Sequence, residues 1–496
     1  MRRNGMLLPI ASLPSPYGIG GFSKEAYEFI DLLEETGQKL WQILPLGPTS
    51  YGDSPYQSFS TFAGNPYFID LDTLEEKGWL TKEACEASGY GDNESYIDYG
   101  RIYNSRFVLL KQAFLNSDIL SDEKFTEFCK DNQHWLPDYA LYMALKNQND
   151  GKSWIEWEEE ICLRKPEAVE YYKKELEEEC NFYEFLQYEF HEQWTKVKEY
   201  AHEKGIQIVG DVPIYVAFDS ADTWANPELF QLDEKNLPLG VAGCPPDAFS
   251  ATGQLWGNPL YKWDYHKYTN YDWWIKRIER SVKLYDVVRI DHFRGFDEYY
   301  SIPAKDKDAI GGHWEKGPGI DLFNGIKYCL GDINIIAEDL GYITDTVRQL
   351  VKDSGFPNMK VLEFAFDSRD SSGPRDYLPY NYDKNCVVYT GTHDNETLKG
   401  WLDDIEPEEV QMIEEYIGRK VETKTQLVDE IIRMAQASTA NTCIIPMQDY
   451  LHLDNKSRMN TPSTLGDNWR WRLKSTQLTK RLNNKIKKLT VLYGRA

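Results

Sequence analysis

The chain has 496 residues, of which 41% are hydrophobic and 27% are charged, so it has enough apolar residues for a sizeable core and is not expected to be globally disordered. It contains 55 Lys and Arg residues against 80 Asp and Glu residues. The resulting net charge of −25 argues against nucleic acid and against an anionic membrane surface as partners. Aromatic residues make up 14% of the chain, which fits either a densely packed core or a cleft that stacks on sugars.

The cysteines indicate a reducing compartment. Eight of them are scattered along the chain without a C-x-x-C pair, which argues against both a disulfide framework and a zinc site. The first residues contain too few apolar side chains before their prolines for a secretory signal, and no run of 18 apolar residues follows. We therefore expect a soluble, cytoplasmic protein.

Short apolar segments, several of which end in a polar or acidic residue, are predicted to be strands. Their bounds are 6–12, 39–45, 206–212, 287–290, 333–337, 360–364, 387–390 and 442–446. Helical periodicity follows most of them, for example over 23–36 and over 344–354, where Gly355 is a stop signal. Eight strand–helix units predict an α/β fold with one (β/α)8 TIM barrel as a single catalytic domain over 1–496.

Two long insertions separate the early units of this predicted barrel. Residues 70–204 follow the second strand and are predicted to be mainly helical, with their many charges on a solvated face. Residues 213–275 follow the third strand and are rich in Pro, Gly, Asn and Trp. A loop of that length is usually functional, and we expect its part 244–259 to cover a substrate. The basic stretch 470–488 predicts an amphipathic closing helix.

Acidic side chains follow four of the predicted strands, at the end where the active sites of such barrels lie. They are Asp211 after the third strand, Asp291 after the fourth, Glu338 and Asp339 after the fifth, and Asp394 and Glu396, preceded by His393, in the segment after the seventh. A single acid there would be explained as a helix cap. Several acids at one barrel mouth, some beside Arg or His, predict an active site.

Two-carboxylate glycoside chemistry requires one ionised and one protonated acid across the scissile bond. Arg289 lies two residues before Asp291 on an extended strand, so both side chains point the same way and the positive charge is expected to keep Asp291 ionised as a nucleophile. Glu338 follows three apolar residues, and partial desolvation would raise its pKa as a general acid requires. Asp394 is then expected to favour an oxocarbenium-like transition state, with His393 as a neutral donor beside it.

Other chemistries have less support in the sequence. Acids at a barrel mouth also bind Mg²⁺ in enolase-type sites, but those sites need a Lys or His base and an anionic substrate. The chain has no H-E-x-x-H, no evident phosphate loop and no G-x-G-x-x-G after a strand, so we expect neither a catalytic metal nor a cofactor. The irregular aromatic segments 53–67 and 244–259 are interpreted as sugar-binding rims.

Eight motifs extend over nearly the whole chain. They are L-L-P-I-A-S-L-P-S-P-Y-G-I-G (7–20), S-P-Y-Q-S-F-S-T-F-A-G-N-P (54–66), G-D-V-P-I-Y-V (210–216), P-P-D-A-F-S-A-T-G-Q-L-W-G-N-P (245–259), R-I-D-H-F-R-G (289–295), A-E-D-L-G (337–341), G-T-H-D-N-E-T (391–397) and N-W-R-W-R (468–472). In this order they resemble the 4-α-glucanotransferases called amylomaltase in bacteria and disproportionating enzyme in plants.

The resemblance implies an α-amylase-like barrel and a retaining mechanism on α-1,4-glucans. On the matching positions it implies that Asp291 is the nucleophile, Glu338 the acid/base and Asp394 the stabiliser of the transition state. The other implied site residues are Arg289 and His393 as supports of the bound sugar, Asp247 and Trp256 in the loop over the cleft, and Tyr56 and, more loosely, Tyr99 as substrate-contacting aromatics. Asp211 matches the acid of the third strand, where a structural role is at least as plausible.

The implied donors and acceptors are malto-oligosaccharides and α-1,4-glucans such as starch, glycogen and amylose, with glucose as an acceptor. An α-amylase-type hydrolase would use the same three acids, so it remains the main alternative. A catalytically silent glucan-binding protein is a third hypothesis, against which the intact set of acids argues. Transfer requires that an acceptor sugar outcompete water, which aromatic acceptor sites and a covering loop would favour.

Overall fold

The computed structural model describes residues 2–50, 52–91, 93–246, 250–341, 343–366 and 374–496. Its strands are β1 Arg3–Leu7, β2 Leu40–Gln42, β3 Gln207–Pro213, β4 Gly240–Cys244, β5 Gln254–Pro259, β6 Val287–Asp291, β7 Glu298–Pro303, β8 His313–Lys316, β9 Ile335–Ala337, β10 Asn358–Val361, β11 Cys386–Tyr389 and β12 Thr442–Pro446. These strands form the barrel and a second, smaller sheet.

The helices surround the strands and fill the insertions. The α-helices are α1 Lys24–Glu35, α2 Leu71–Glu76, α3 Lys82–Ala87, α4 Tyr99–Asn116, α5 Glu123–Asp131, α6 Leu136–Gln148, α7 Glu159–Cys162, α8 Pro166–Glu175, α9 Glu177–Glu203, α10 Ala221–Ala225, α11 Trp263–Tyr268, α12 Asp272–Leu284, α13 Ile320–Leu330, α14 Asp345–Ser354, α15 Leu362–Ala365, α16 Leu398–Asp404, α17 Pro407–Ile417, α18 Lys424–Ala437, α19 Met447–Tyr450 and α20 Lys480–Leu492. Short 3-10 helices lie at Ile10–Ser12, Pro66–Phe68, Ile119–Ser121, Trp154–Glu156, Pro227–Leu229, Phe293–Phe296, Pro374–Tyr377, Pro379–Asn381, Asn455–Ser457 and Ser475–Gln477.

Eight of the described strands close into a parallel barrel. Around the barrel they follow the order of the chain, β1, β2, β3, β6, β9, β10, β11 and β12, and β12 pairs with β1. Each crossover therefore leads to the neighbouring strand, which is the arrangement of a (β/α)8 barrel. The predicted TIM-barrel fold with helical insertions is confirmed.

The barrel interior explains where the charged residues lie. Its buried apolar cluster consists of Leu7, Leu40, Val209, Val287, Ile336, Met359, Val361, Val387, Tyr389 and Ile444. Side chains alternate along a strand, so a residue two positions beyond an inward-facing one also points inward. Two positions beyond inward-facing members of β3, β6 and β9 stand Asp211, Arg289 and Glu338, at the mouth of the barrel.

The two insertions differ in structure. Helices α2 to α9 lie between β2 and β3, and α6 packs against α9. After β3 the chain forms β4 and β5, which join β7 and β8 in an antiparallel sheet of order β5-β4-β7-β8. The predicted division of the chain into one catalytic domain with two insertions stays a prediction. No helix in the described ranges is long and apolar enough to cross a membrane.

Some predicted bounds are wrong, for identifiable reasons. The first strand was predicted at 6–12 but ends at Leu7, because Pro9 has no N–H for the sheet and directly precedes the 3-10 helix Ile10–Ser12. The sixth barrel strand was predicted at 360–364, but its last residues form α15. The helix 344–354 agrees closely, since Thr344 caps it and Gly355 ends it in the left-handed conformation.

Two further differences arise from contacts between distant segments. The sheet strands β4 and β5 were not predicted within 213–275, because their pairing with each other and with β7 is not visible in local periodicity. The closing helix was predicted over 470–488, but α20 covers Lys480–Leu492. Of the residues before it, Ser475–Gln477 form a 3-10 helix, and Trp471 forms a β-bridge with Tyr96 of the helical insertion.

Candidate active site

Arg289 lies between two carboxylates at the barrel mouth. Strand pairing puts Asp211 of β3 opposite Arg289 of β6, and the Arg289 Nη1 atom lies 2.6 and 2.7 Å from the two Asp211 carboxylate oxygens. Its Nη2 atom lies 2.9 Å from Asp291 Oδ1. Arg289 is only 3% exposed, so its charge needs partners, and the two carboxylates supply them.

Burial and charge act in opposite directions on Asp291. Burial raises the pKa of its carboxyl group, the Arg289 guanidinium opposes this, and the charges of Asp211 and Asp394 raise it again. The balance puts the pKa of Asp291 at about 6. Arg289 was predicted to keep Asp291 ionised, and it does lower the pKa, but burial has the larger effect.

Glu338 is held by two backbone amides. His292 N–H donates to its Oε2 at 2.6 Å, and Leu340 N–H donates to its Oε1 at 2.7 Å. The side chain is buried, with 8% of the residue exposed. Burial, and then the nearby charge of Asp291, raise the pKa of Glu338 to about 7 despite the two amides and Arg289. Its position is thus fixed and its carboxyl group is partly protonated near neutral pH.

His393 and Asp394 form a contrasting pair in the segment after β11. The His393 Nε2 atom lies 3.3 Å from Asp394 Oδ2, and Asn460 Nδ2 donates to Asp394 Oδ1 at 2.6 Å. Burial opposes both charges, but the charge and hydrogen bond of each partner raise the pKa of His393 and hold the pKa of Asp394 below its usual value. Asp394 therefore stays ionised.

Tyr56 connects the two groups of acids. Its hydroxyl donates to Asp211 Oδ2 at 2.8 Å and lies 2.8 Å from His393 Nε2. The Tyr56 and His393 rings are stacked with centroids 5.2 Å apart. Burial and the charge of Asp211 raise the pKa of Tyr56, so its hydroxyl stays protonated and can donate.

Of the two residues predicted in the loop over the cleft, Trp256 and Asp247, the structure describes Trp256. Trp256 of β5 is half-buried, and its ring meets the ring of His292 edge to face at 4.9 Å. His292 follows Asp291 and has a left-handed backbone with φ 53°. The structure therefore places Trp256 beside the C-terminal end of β6. Asp247 lies outside the described residues.

Tyr99 is connected to the acids indirectly, through Trp469 and Tyr56. It begins α4 and donates its hydroxyl hydrogen to the carbonyl oxygen of Trp469 at 2.8 Å. It also lines a cavity of about 1380 Å³ between the helical insertion and the barrel rim, together with Tyr103 and Phe107. No direct contact between Tyr99 and the three acids is found among the described residues.

The donor set of the site is carboxylate, guanidinium and imidazole, tied together by short hydrogen bonds. In the ranges that the structure covers, no group of three or more His, Cys, Asp or Glu side chains is arranged to hold a metal ion. The expectation that the chemistry needs no cofactor stays a prediction. Near neutral pH the arrangement supplies the mostly ionised carboxyl group of Asp291, the partly protonated one of Glu338 and the fully ionised one of Asp394.

Comparison with known proteins agrees with this chemistry. The family model described as 4-alpha-glucanotransferase matches residues 8–479. The chain belongs to the 4-alpha-glucanotransferase family. The 4-alpha-glucanotransferase of Clostridium butyricum is 54% identical over 98% of this chain and 99% of that protein. The one from Streptococcus pneumoniae strain TIGR4 is 48% identical over 100% of this chain and 97% of that protein.

Solved structures give the same result. The amylomaltase of Streptococcus agalactiae, solved in complex with acarbose, superposes with a TM-score of 0.96 at 43% identity and with full coverage of both chains. The amylomaltase of Corynebacterium glutamicum shares the fold, with a TM-score of 0.79 at 18% identity over 99% of this chain and 75% of that one. The predicted family and 4-α-glucanotransferase activity are confirmed, and the comparisons do not favour the hydrolase alternative.

Three residues that lie at this site, Asn460, Trp469 and Tyr215, were not among the site residues predicted from the sequence. Asn460 binds the Asp394 carboxylate, and the Trp469 ring lies 5.6 Å from that of Tyr56. Tyr215 packs near Trp256 at 6.2 Å. Trp469 and Tyr215 stand in motifs that were quoted for the resemblance, which is the signal that could have identified them. Nothing in its own neighbourhood marked Asn460, because its contact is made with a residue 66 positions away.

Proposed function

We propose that this enzyme cleaves α-1,4-glucosidic bonds with Asp291 as the nucleophile, Glu338 as the acid/base and Asp394 as the stabiliser of the transition state. The observation that carries the proposal is the pair of carboxyl groups at the ends of β6 and β9, of which Asp291 is half-buried and Glu338 is buried. Arg289 binds one of them at 2.9 Å, and two backbone amides hold the other at 2.6 and 2.7 Å. Two carboxyl groups in distinct states are what a retaining glycosidic mechanism uses.

In the first step, the Glu338 carboxyl group gives its proton to the glycosidic oxygen while Asp291 Oδ attacks the anomeric carbon. The bond to the leaving glucan breaks, and a covalent glucosyl ester forms on Asp291. The raised pKa of Glu338, about 7, supports the role of proton donor. Asp394, whose pKa is held below its usual value, stays negative beside the developing oxocarbenium charge.

In the second step, the Glu338 carboxylate takes the proton from the 4-hydroxyl group of an acceptor glucan, whose oxygen attacks the anomeric carbon. The ester to Asp291 breaks, and two inversions leave the configuration unchanged. Water would give hydrolysis instead, so transfer requires that sugars bind next to the intermediate. The aromatic side chains of Tyr56 and Trp256 at the site support acceptor binding.

The finer assignments extend the family activity to this chain. We infer that Arg289 and His393 orient the sugar whose bond is cleaved, and that Tyr56, Trp256, Tyr99 and Asp247 contribute to glucan binding. We infer malto-oligosaccharides, amylose, starch and glycogen as substrates, with glucose as an acceptor. A cytoplasmic location is inferred from the scattered cysteines, which have no C-x-x-C pair.

The proposed roles imply a particular geometry. A retaining enzyme places its two carboxyl groups about 5–5.5 Å apart, because no water has to fit between the attacking group and the sugar. A crystal structure should show this separation for Asp291 and Glu338. A separation beyond about 7 Å would contradict the nucleophilic role of Asp291.

The experiment that tests the function is incubation of the purified protein with maltotriose alone, with products separated by chromatography. Longer oligosaccharides together with glucose are expected, since transfer lengthens one chain as it shortens another. Maltose and glucose without longer products would establish hydrolysis instead.

Asp291→Asn should lower the rate by roughly 10³-fold or more. The matched control is Asp332→Asn, which removes the charge of a carboxylate with 88% side-chain exposure and should leave the rate unchanged.

A further inference from the structure

The N-W-R-W-R motif contains a tryptophan in an unusual conformation. Trp469 has φ 65°, in the left-handed region that bulky side chains rarely adopt. It is also buried, with 7% of the residue exposed. A strained conformation of this kind persists only where the surroundings impose it, and it is found most often at functional sites. The catalytic steps above make no use of Trp469.

Contacts on both sides of the backbone impose this conformation. The Trp469 N–H donates to the carbonyl oxygen of Met459 at 2.7 Å, and its own carbonyl accepts the hydroxyl hydrogen of Tyr99 at 2.8 Å. The next residue, Arg470, forms two hydrogen bonds with Ile97. The Ile97 N–H donates to the Arg470 carbonyl oxygen at 2.8 Å, and Arg470 Nε donates to the Ile97 carbonyl oxygen at 2.9 Å. The segment of the helical insertion that leads into α4 therefore holds Trp469 in place.

The Trp469 ring packs against two residues of the site. Its centroid lies 5.6 Å from the ring of Tyr56 and 6.0 Å from the ring of His393. Tyr56 and His393 are themselves stacked at 5.2 Å. Through the Tyr56 hydroxyl and His393 Nε2 this three-ring cluster reaches Asp211 and Asp394. Displacement of Trp469 would therefore leave the hydrogen-bonding side chains of Tyr56 and His393 without one of their packing partners.

The neighbouring Trp471 shows that burial alone does not explain Trp469. Trp471 is equally buried, with 4% exposed, and its carbonyl accepts a hydrogen bond from Ser12. In the part of the chain that the structure describes, its ring stacks on neither Tyr56 nor His393. Two tryptophans two residues apart therefore have different surroundings, and only Trp469 adjoins the site.

We propose that Trp469 is a positioning residue for glucan transfer, which holds Tyr56 and His393 in register with Asp211 and Asp394 and is itself held by Tyr99 of the helical insertion. The proposal rests on the proposed function and deepens it, because it assigns to the insertion an influence on catalysis that acts through Trp469. It also gives Tyr99 a role in addition to sugar contact. Trp469 does not touch the reacting atoms, so its loss should lower the rate of catalysis more than the binding of substrate.

The experiment compares single and double variants in maltotriose disproportionation, with kcat and KM measured separately. Trp469→Ala should lower kcat by about 10²-fold, the size of effect expected when a catalytic group is misplaced by about 1 Å, while KM changes by less than about threefold. Trp469→Phe keeps a ring at the same place and should restore kcat to within about fivefold of the wild type. If Trp469→Ala fails to fold, Tyr99→Phe provides the test of the same contact.

Tyr99→Phe removes only the hydrogen bond to the Trp469 carbonyl and should lower kcat by about 5–10-fold. If the two residues act through one contact, the double variant Trp469→Ala/Tyr99→Phe should be no slower than Trp469→Ala alone. Trp471→Phe is the matched control: its kcat should stay within twofold of the wild type, whatever its effect on the unfolding temperature.

Two results would overturn the proposal. One is a folded Trp469→Ala or Tyr99→Phe variant whose kcat and KM equal those of Trp471→Phe. The other is a double variant in which the effects of Trp469→Ala and Tyr99→Phe simply multiply. A wild-type protein that forms no longer oligosaccharides would instead refute the proposed function, and the role of Trp469 with it.

Discussion

The surroundings of Asp291 and Glu338, at the ends of β6 and β9, raise the pKa of the carboxyl group. The surroundings of Asp394, which follows β11, lower it. At the ends of β6 and β9 burial dominates, and the pKa values of Asp291 and Glu338 rise to about 6 and about 7. At Asp394, the charge and hydrogen bond of His393 and the hydrogen bond of Asn460 outweigh burial, and the pKa falls. Two carboxyl groups close to neutral pH can exchange protons and form bonds, whereas the third can act only as a fixed charge.

The largest effect is expected from removing the proton of Glu338. Glu338→Gln keeps the shape of the side chain, but it can neither donate nor accept the catalytic proton, so maltotriose turnover should fall by about 10²–10⁴-fold. An α-maltosyl fluoride donor needs no protonation of its leaving group. With it, Glu338→Gln should form the covalent intermediate, whereas Asp291→Asn should not. Equal behaviour of both variants with the fluoride would contradict the division of roles.

The next largest effect is expected from removing the buried charge between Asp211 and Asp291. Arg289→Met should cost about 3–5 kcal/mol in the free energy of unfolding, because two carboxylates lose their buried partner. Since Arg289 lowers the pKa of Asp291, that pKa should rise above about 6, and the acidic limb of the kcat/KM profile should move to higher pH. Urea unfolding and the pH profile measure these two effects.

Arg289→Lys is the control for this variant, because it keeps the charge and loses only the geometry of the guanidinium. It should retain more of the stability than Arg289→Met and leave the acidic limb closer to its wild-type position. The wild-type profile itself should be narrow, with its optimum between the two pKa values of about 6 and about 7, which belong to the coupled pair. A broad optimum extending to pH 9 would contradict both values.

A smaller effect is expected from removing the charge of Asp394 beside His393. The charge and hydrogen bond of Asp394 raise the pKa of His393, so Asp394→Asn should lower that pKa and leave the imidazole neutral at a lower pH. Titration of the His393 ring nitrogens by NMR, assigned with a His393→Gln spectrum, measures the change. Glu338→Gln should leave this titration close to that of the wild type. An unchanged pKa in Asp394→Asn would show that His393 and Asp394 are not electrostatically paired.

The smallest effect concerns Glu363, a buried carboxyl group behind the His393–Asp394 segment. Burial, and then the charges of Asp449 and Glu396, raise its pKa well above the ordinary value of 4.5. Above pH 4.5 the unfolded chain therefore loses a proton that the folded protein keeps, so stability falls as pH rises toward the folded-state pKa. Glu363→Gln has no such proton, and its advantage in unfolding free energy should grow with pH.

For a single such proton the free energy of unfolding should fall by at most about 1.4 kcal/mol per pH unit in this range. Urea unfolding at pH 5, 6.5 and 8 would reveal the predicted increase. Glu76→Gln, at an exposed position of α2, is the control and should show no such trend. A difference between Glu363→Gln and the wild type that is constant over this range would show that the carboxyl group is charged in the folded state throughout.

The order of the barrel strands and the positions of the acids could be predicted from the sequence because they depend on local pattern. Apolar runs of strand length that end in Asp211, Asp291 and Glu338 reveal both the strands and the mouth of the barrel, since the side-chain period of two settles which residues point inward. The roles implied by the family resemblance fell on the same residues. The antiparallel sheet of β4, β5, β7 and β8 could not be predicted, because its pairings join segments without a period of their own.

The sequence by itself therefore determined which chemical groups meet at the barrel mouth, and the tertiary structure alone decided how each is tuned. The depth at which Asp291 and Glu338 are buried depends on packing by the whole molecule, and it outweighs the nearby Arg289 that the sequence made visible. Likewise, Tyr56 reaches Asp211 and His393 across 155 and 337 positions of the chain. Desolvation and contacts at such separations exist only once the chain has folded, because neither depends on neighbours in sequence.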